Sequence, residues 1–158
     1  MKQKITPMLW FNDQAEEAAN FYISIFNNSK IVDVARYGEA GPGSEGSVMV
    51  VAFELDGQEF TALNGGPQFT FSEAISFVID CKTQDDVDYF WEKLTDGGEP
   101  GPCGWLKDKF GLSWQVVPAV AIEMMQDHDR ERANRVMQAV YQMSKIDIAT
   151  LEKAYAGN

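Results

Sequence analysis

The chain has 158 residues, 45% of them hydrophobic and 12% aromatic. That composition excludes a disordered chain and supplies a core for one compact domain or for two small modules. Thirteen basic against twenty-four acidic residues leave a formal charge of -11, which repels polyphosphate backbones and anionic bilayers and argues against nucleic acid and membrane as partners. Cys81, Cys103 and His128 are the whole supply of thiol and imidazole, with neither a CxxC nor a His cluster to form a metal knuckle. The opening "MKQKITPMLWF" has too short an apolar run for a signal-peptide core or a membrane span, so a soluble, cytoplasmic protein is expected.

In chain order, Ile5 to Phe11 reads as a short strand. Asp13 with Glu16 resembles a capping box, with Asn12 as the other candidate cap, ahead of a helix that turns Ala15, Ala18, Tyr22, Ile25 and Phe26 to one side. Three strand-like runs follow: Lys30 to Tyr37, Val48 to Leu55 and Glu59 to Asn64, the last two joined by an Asp56-Gly57 hairpin turn. After "NGGPQ" the pattern restarts with a strand from Ala74 to Cys81. Thr83 then caps a helix that turns Val87, Phe90, Trp91 and Leu94 inward. Adding 69 to Ala18, Phe21, Tyr22 and Ile25 lands on those four residues, and the same offset carries Pro7 and Leu9 to Ser76 and Val78. The chain therefore reads as an internal repeat of strand and helix.

The second copy closes with "CGWLKDKFGLSWQVVP", a turn on Asp108, Phe110 and Gly111 and then a strand. Its side chains alternate, so Ser113, Gln115 and Val117 share one side, and Leu112, Trp114 and Val116 the other. Asp108 reads as a loop cap, and Trp105 as a loop residue before the last strand. Trp10, in step with Met8, is expected in the core. From Pro118 the chain reads as helical, with Ala133, Val136, Met137, Val140 and Tyr141 on one face and a last helix between Asp147 and Gly157.

The stretches "TPMLWFNDQAEEAANFYISIF", "GQEFTALNGGPQFTFSEAISFVIDC", "CGWLKDKFGLSWQVVP" and "VMQAVYQMSKIDIATLEKAY" resemble the PhnB-like family. That family carries the label 3-demethylubiquinone-9 3-methyltransferase domain and belongs to the vicinal oxygen chelate (glyoxalase, bleomycin resistance, dioxygenase) superfamily. The resemblance implies an α+β fold: tandem βαβββ modules over residues 1–118 forming a cupped mixed sheet, a helical extension over 119–158, and a homodimer. Metal-using relatives would place ligands at Pro7, Ser76, Ala62 or Asn64, and Gln115, none of which is a good divalent-metal ligand here. His128 reads as a solvated tail residue without a second ligand.

The expectation is a cup that uses no metal and no cofactor, lined by Leu9, Phe60, Ala62, Asn64, Ser76, Val78, Ser113 and Gln115, with Trp105 at its rim. It would bind, and in a sequestering role retain, a small organic molecule. No catalytic residue is assigned, because no Ser or Cys has a His to activate it. The alternatives are a glyoxalase- or dioxygenase-type enzyme with atypical metal ligands, or the methyl transfer that the family label names. Against the latter, the first strand-to-helix turn, "FNDQAEE", has no glycine to cradle a methyl donor.

Overall fold

A computed structural model describes residues 3–158. Contacts divide the chain into two units, 1–71 and 72–158, and each holds one copy of the repeat. In the first, β1 (Met8–Phe11), α1 (Ala15–Ile25), β2 (Lys30–Arg36), β3 (Val48–Leu55) and β4 (Gln58–Asn64) form a four-stranded sheet in the order β1-β4-β3-β2. In the second, β5 (Ser76–Cys81), α2 (Gln84–Thr95), β6 (Glu99–Pro100), β7 (Trp105–Lys107) and β8 (Ser113–Pro118) repeat that order as β5-β8-β7-β6. In each sheet the module's first and last strands pair in parallel and the other pairs are antiparallel. The fold is α+β, two βαβββ modules followed by helices α3 (Ala119–Met125), α4 (Arg130–Tyr141) and α5 (Ile148–Ala156). Among the described residues no helix is long and apolar enough to cross a membrane.

The first module's core forms where one face of its sheet meets α1. Tyr22 stacks on Phe53 and Phe53 on Phe60, with ring centroids 6.3 and 5.6 Å apart, while Val51, Ala62, Ala18 and Ala19 are fully buried around them. The small alanines of α1 let the helix approach the sheet closely. The expected Asp13–Glu16 capping box does not form. Gln14 is the N-cap residue and makes no side-chain capping bond; instead Asn64 Oδ1, at the end of β4, accepts from Ala15 N at 2.8 Å. A tertiary contact thus replaces the local cap. In the second module the local signal suffices: Thr83 Oγ1 accepts from Asp86 N at 3.1 Å.

The tail builds a small core of its own from Ala121, Val136, Val140, Ile146 and Leu151, with Cys103, Met143 and Tyr155 packed against it. Tyr141, expected on the buried face, is 63% exposed, because α4 turns only Ala133, Val136 and Val140 inward. As expected, Asp147 caps α5 and Gly157 ends it in the left-handed region at φ 84°.

Candidate functional site

Strand register decides which side chains share a face. In the second module Ser76 is paired with Ser113 and Val78 with Gln115, while Trp105 faces Gln115 and Lys107 faces Ser113 across the β7–β8 ladder. Ser76, Val78, Trp105, Lys107, Ser113 and Gln115 therefore lie on one side of the sheet. The other side carries the buried Ile79, Cys81, Leu106, Trp114 and Val116. Ser76, Val78, Ser113 and Gln115, the four second-module strand residues expected on the cup side, do share a face, whereas Trp105, expected in a loop at the rim, stands on a short strand.

The first module departs from expectation. Leu9, Phe60 and Ala62 are 6%, 5% and 0% exposed and share the α1-facing side with Asn64. Asn64 is engaged at both ends of its amide, its Nδ2 donating to Val48 O at 3.1 Å. Trp10, expected in the core, lies on the opposite side with the 55% exposed Met8. There its Nε1 donates to Gly66 O at 2.9 Å and its ring meets Phe69 edge-on at 4.9 Å. The inversion has a simple cause. The offset of 69 suits the helices, but the helix-facing Leu9 and Phe11 correspond to the helix-facing Ile79 and Cys81, an offset of 70 (9 to 79, 11 to 81). One residue of slip turns every strand side chain to the other face.

On the shared side of the second module lies a pocket of ≈ 500 Å³, bordered by Pro100, Pro102, Cys103, Trp105, Lys107 and Ser113, with Glu73 and Glu99 also at its edge. Of these residues Ser113 is 1% exposed, and its Oγ has no hydrogen-bond partner among the described residues. An orphaned buried hydroxyl costs about 1–3 kcal/mol. Nearby, Gln115 Nε2 donates to Ser76 Oγ at 3.0 Å. Lys107 forms an ion pair with Glu73. The hydrogen bond between them holds the Glu73 carboxyl below its ordinary value and raises the Lys107 ammonium above its own.

The wall formed by Pro102, Cys103, Gly104 and Trp105 is a tight turn, closed by Trp105 N donating to Pro102 O at 3.0 Å. Both central residues have positive φ, 60° at Cys103 and 83° at Gly104, the pattern of a type I′ hairpin. Asn-Gly is the usual pair there; a cysteine in the left-handed region costs roughly 1 kcal/mol. Sequence reasoning missed Lys107, Glu73, Glu99 and Cys103 at this pocket. Recognising the Cys103-Gly104 pair as a hairpin turn would have placed β7, and with it Lys107, in register with Ser113.

Asp108 is structural, as expected. At 2% exposure its Oδ1 accepts from Phe110 N and Leu112 N at 2.9 and 3.1 Å, and its Oδ2 accepts from Trp114 Nε1 at 2.9 Å. A second pocket, ≈ 680 Å³, lies in the first module beside the start of α1, bordered by Asp13, Glu16, Glu17, Tyr37 and Gln68 among others. Among the described residues no three His, Cys, Asp or Glu side chains stand together as a metal donor set. His128 is an exposed residue between α3 and α4. The residues present therefore do not fit the metal centre of metal-using relatives. Nor do the β1–α1 residues Asn12, Asp13 and Gln14 form the glycine turn of a methyl-donor site.

Comparison with known proteins follows these outlines. The model of the family described as 3-demethylubiquinone-9 3-methyltransferase matches residues 3–117, so α3, α4 and α5 lie beyond it. The structure is similar to that of a PhnB protein from Bacillus cereus, at 42% identity and a TM-score of 0.66, covering 74% of this chain and 100% of that one. It is also similar in fold to protein PA1353 from Pseudomonas aeruginosa, at 17% identity and a TM-score of 0.62 over 74% of this chain and 98% of that one. The fosfomycin resistance protein FosX from Listeria monocytogenes, in complex with Mn(II) and sulfate, shares the fold at 13% identity and a TM-score of 0.52 over 75% of this chain and 90% of that one. No curated protein matches the sequence.

Proposed function

The chain belongs to the 3-demethylubiquinone-9 3-methyltransferase family, and on that footing we propose that it binds a small, uncharged, ring-containing molecule in the ≈ 500 Å³ pocket of the second module. The observation that carries the reading is the buried, unpartnered hydroxyl of Ser113, a residue that borders that pocket. A native fold that leaves a polar atom without a partner is completed when something else supplies one. Trp105 and the two prolines offer flat apolar surface for a ring, and Ser113 Oγ can donate to or accept from a carbonyl or hydroxyl on it. Lys107 is already neutralised by Glu73, which leaves little call for a charged group on the ligand. The role read here is retention: apolar walls at Trp105, Pro100 and Pro102 surround one polar contact. Leu9, Phe60, Ala62 and Asn64, beneath α1, take no part in it.

The experiment is a pair of titrations that use 1-naphthol and naphthalene as probes, followed by tryptophan quenching. In the wild type 1-naphthol is expected to bind more tightly than naphthalene. Replacing Ser113 with Ala should remove that advantage, about fivefold for one hydrogen bond of ~1 kcal/mol, and leave naphthalene unchanged. Equal losses for both probes, or none, would overturn the reading. We also propose a homodimer. The exposed apolar Val78 and Ile75, 62% and 69% accessible at β5, support it, and sedimentation equilibrium should return twice the 17.7 kDa chain mass.

A further inference from the structure

The pocket wall is held from behind. Cys103 N donates to Met143 O and Gly104 N to Ser144 O, each at 2.8 Å, and Ser144 Oγ donates to Gly101 O at 2.6 Å. All three bonds come from the junction between α4 and α5, in the part of the chain that lies beyond the family match. That junction is itself anchored to α2. Gln84 Nε2 donates to Ile146 O at 3.0 Å, Gln84 Oε1 accepts from Ile148 N at 2.8 Å, and Lys145 pairs with Asp88 at 2.8 Å. The fit behind the turn is close: a Cβ on Gly104 would come within 2.9 Å of Val116 O and 3.2 Å of Ile146 Cγ1. A cysteine kept at positive φ, with its amide bonded outside its own hairpin, is a conformation imposed by its surroundings.

We propose that Ser144 is a positioning residue for the pocket: the tail clamps the Gly101–Trp105 wall, so that docking of the tail and occupancy of the pocket favour each other. The inference rests on the reading of the pocket given above. Ser144 is exposed and distinct from the pocket lining, so it acts only through the wall. By linkage, a ligand that needs the wall in place must also strengthen the clamp.

The cysteines provide the test. Cys103 is half-buried and packs against the tail core, so loosening the tail should expose more of its thiol. Cys81 is 1% exposed and its thiol is pushed up to about 12, chiefly by burial, so it stays silent to a thiol reagent near neutral pH. Labelling of Cys103 by a disulfide reagent and 1-naphthol affinity are measured in the wild type and in the Ser144→Ala, Ser144→Thr and Gln84→Ala proteins. Ser144→Ala and Gln84→Ala should each speed labelling and weaken 1-naphthol by about threefold or more. Ser144→Thr should restore both. Faster labelling with unchanged affinity would overturn the coupling while leaving the pocket reading intact. A wild type that binds no 1-naphthol would overturn the pocket reading and this inference together.

Discussion

Ser113 shows how a single side chain can oppose stability. Its hydroxyl is buried without a partner, so Ser113→Ala should raise the thermal midpoint, by about 1 kcal/mol of stability, even as it costs probe affinity. An unchanged or lowered midpoint would mean that the hydroxyl is satisfied in solution. The Glu73–Lys107 pair makes a second prediction. Glu73 is held below its ordinary 4.5 and Lys107 above its ordinary 10.5, in each case chiefly by the hydrogen bond between them. Because the folded carboxyl value is depressed, the link is complete above about pH 4.5 and is lost as pH falls through the depressed value. Because the ammonium value is raised, the link is complete below pH 10.5 and is lost as pH rises through the raised value. An NMR titration of the Glu73 carboxyl should therefore show a midpoint below 4.5 that moves back toward the ordinary value in Lys107→Met.

At the scale of elements, the two module helices have different starts. The start of α2 is legible in the sequence, because Thr83 and Asp86 lie three residues apart and cap locally. The start of α1 is not, since its acceptor is Asn64, far along the chain on β4. Asn64→Ala should cost between about 1 and 2 kcal/mol, as the amide serves both Ala15 N and Val48 O. Chemical denaturation would read that loss, and a neutral result would return Asn64 to the pool of candidate ligand contacts. The buried positions Ala15, Ala18, Tyr22 and Ile25 of α1 and Val87 and Leu94 of α2 followed from local patterning, as did the Asp56-Gly57 hairpin, with Leu55 and Gln58 paired across the turn. The strand faces of the first module did not. Alternation shows which residues share a side, and Leu9, Phe60, Ala62 and Asn64 do share one, but which of the two sides meets the helix depends on the length of the strand-to-helix turn.

For the molecule as a whole, the lack of a clustered donor set among the described residues makes one prediction. Treatment with a chelator followed by dialysis should change neither the thermal midpoint nor 1-naphthol affinity, because among the described residues no three metal-ligating side chains converge. A fall in either on chelation, restored by one equivalent of a divalent metal, would point to ligands outside that set. What the sequence by itself determined is the repeated βαβββ plan, the helices and most of their caps, the structural role of Asp108 and the grouping of Ser76, Val78, Ser113 and Gln115. All of these rest on short-range periodicity or on long specific motifs. Only the tertiary structure decided which face of the first sheet lies under α1, that Lys107 stands beside Ser113, and that the tail grips the Cys103 turn. Each of those depends on contacts between residues distant in the chain, where a one-residue change in register reverses the outcome and no local pattern reveals it.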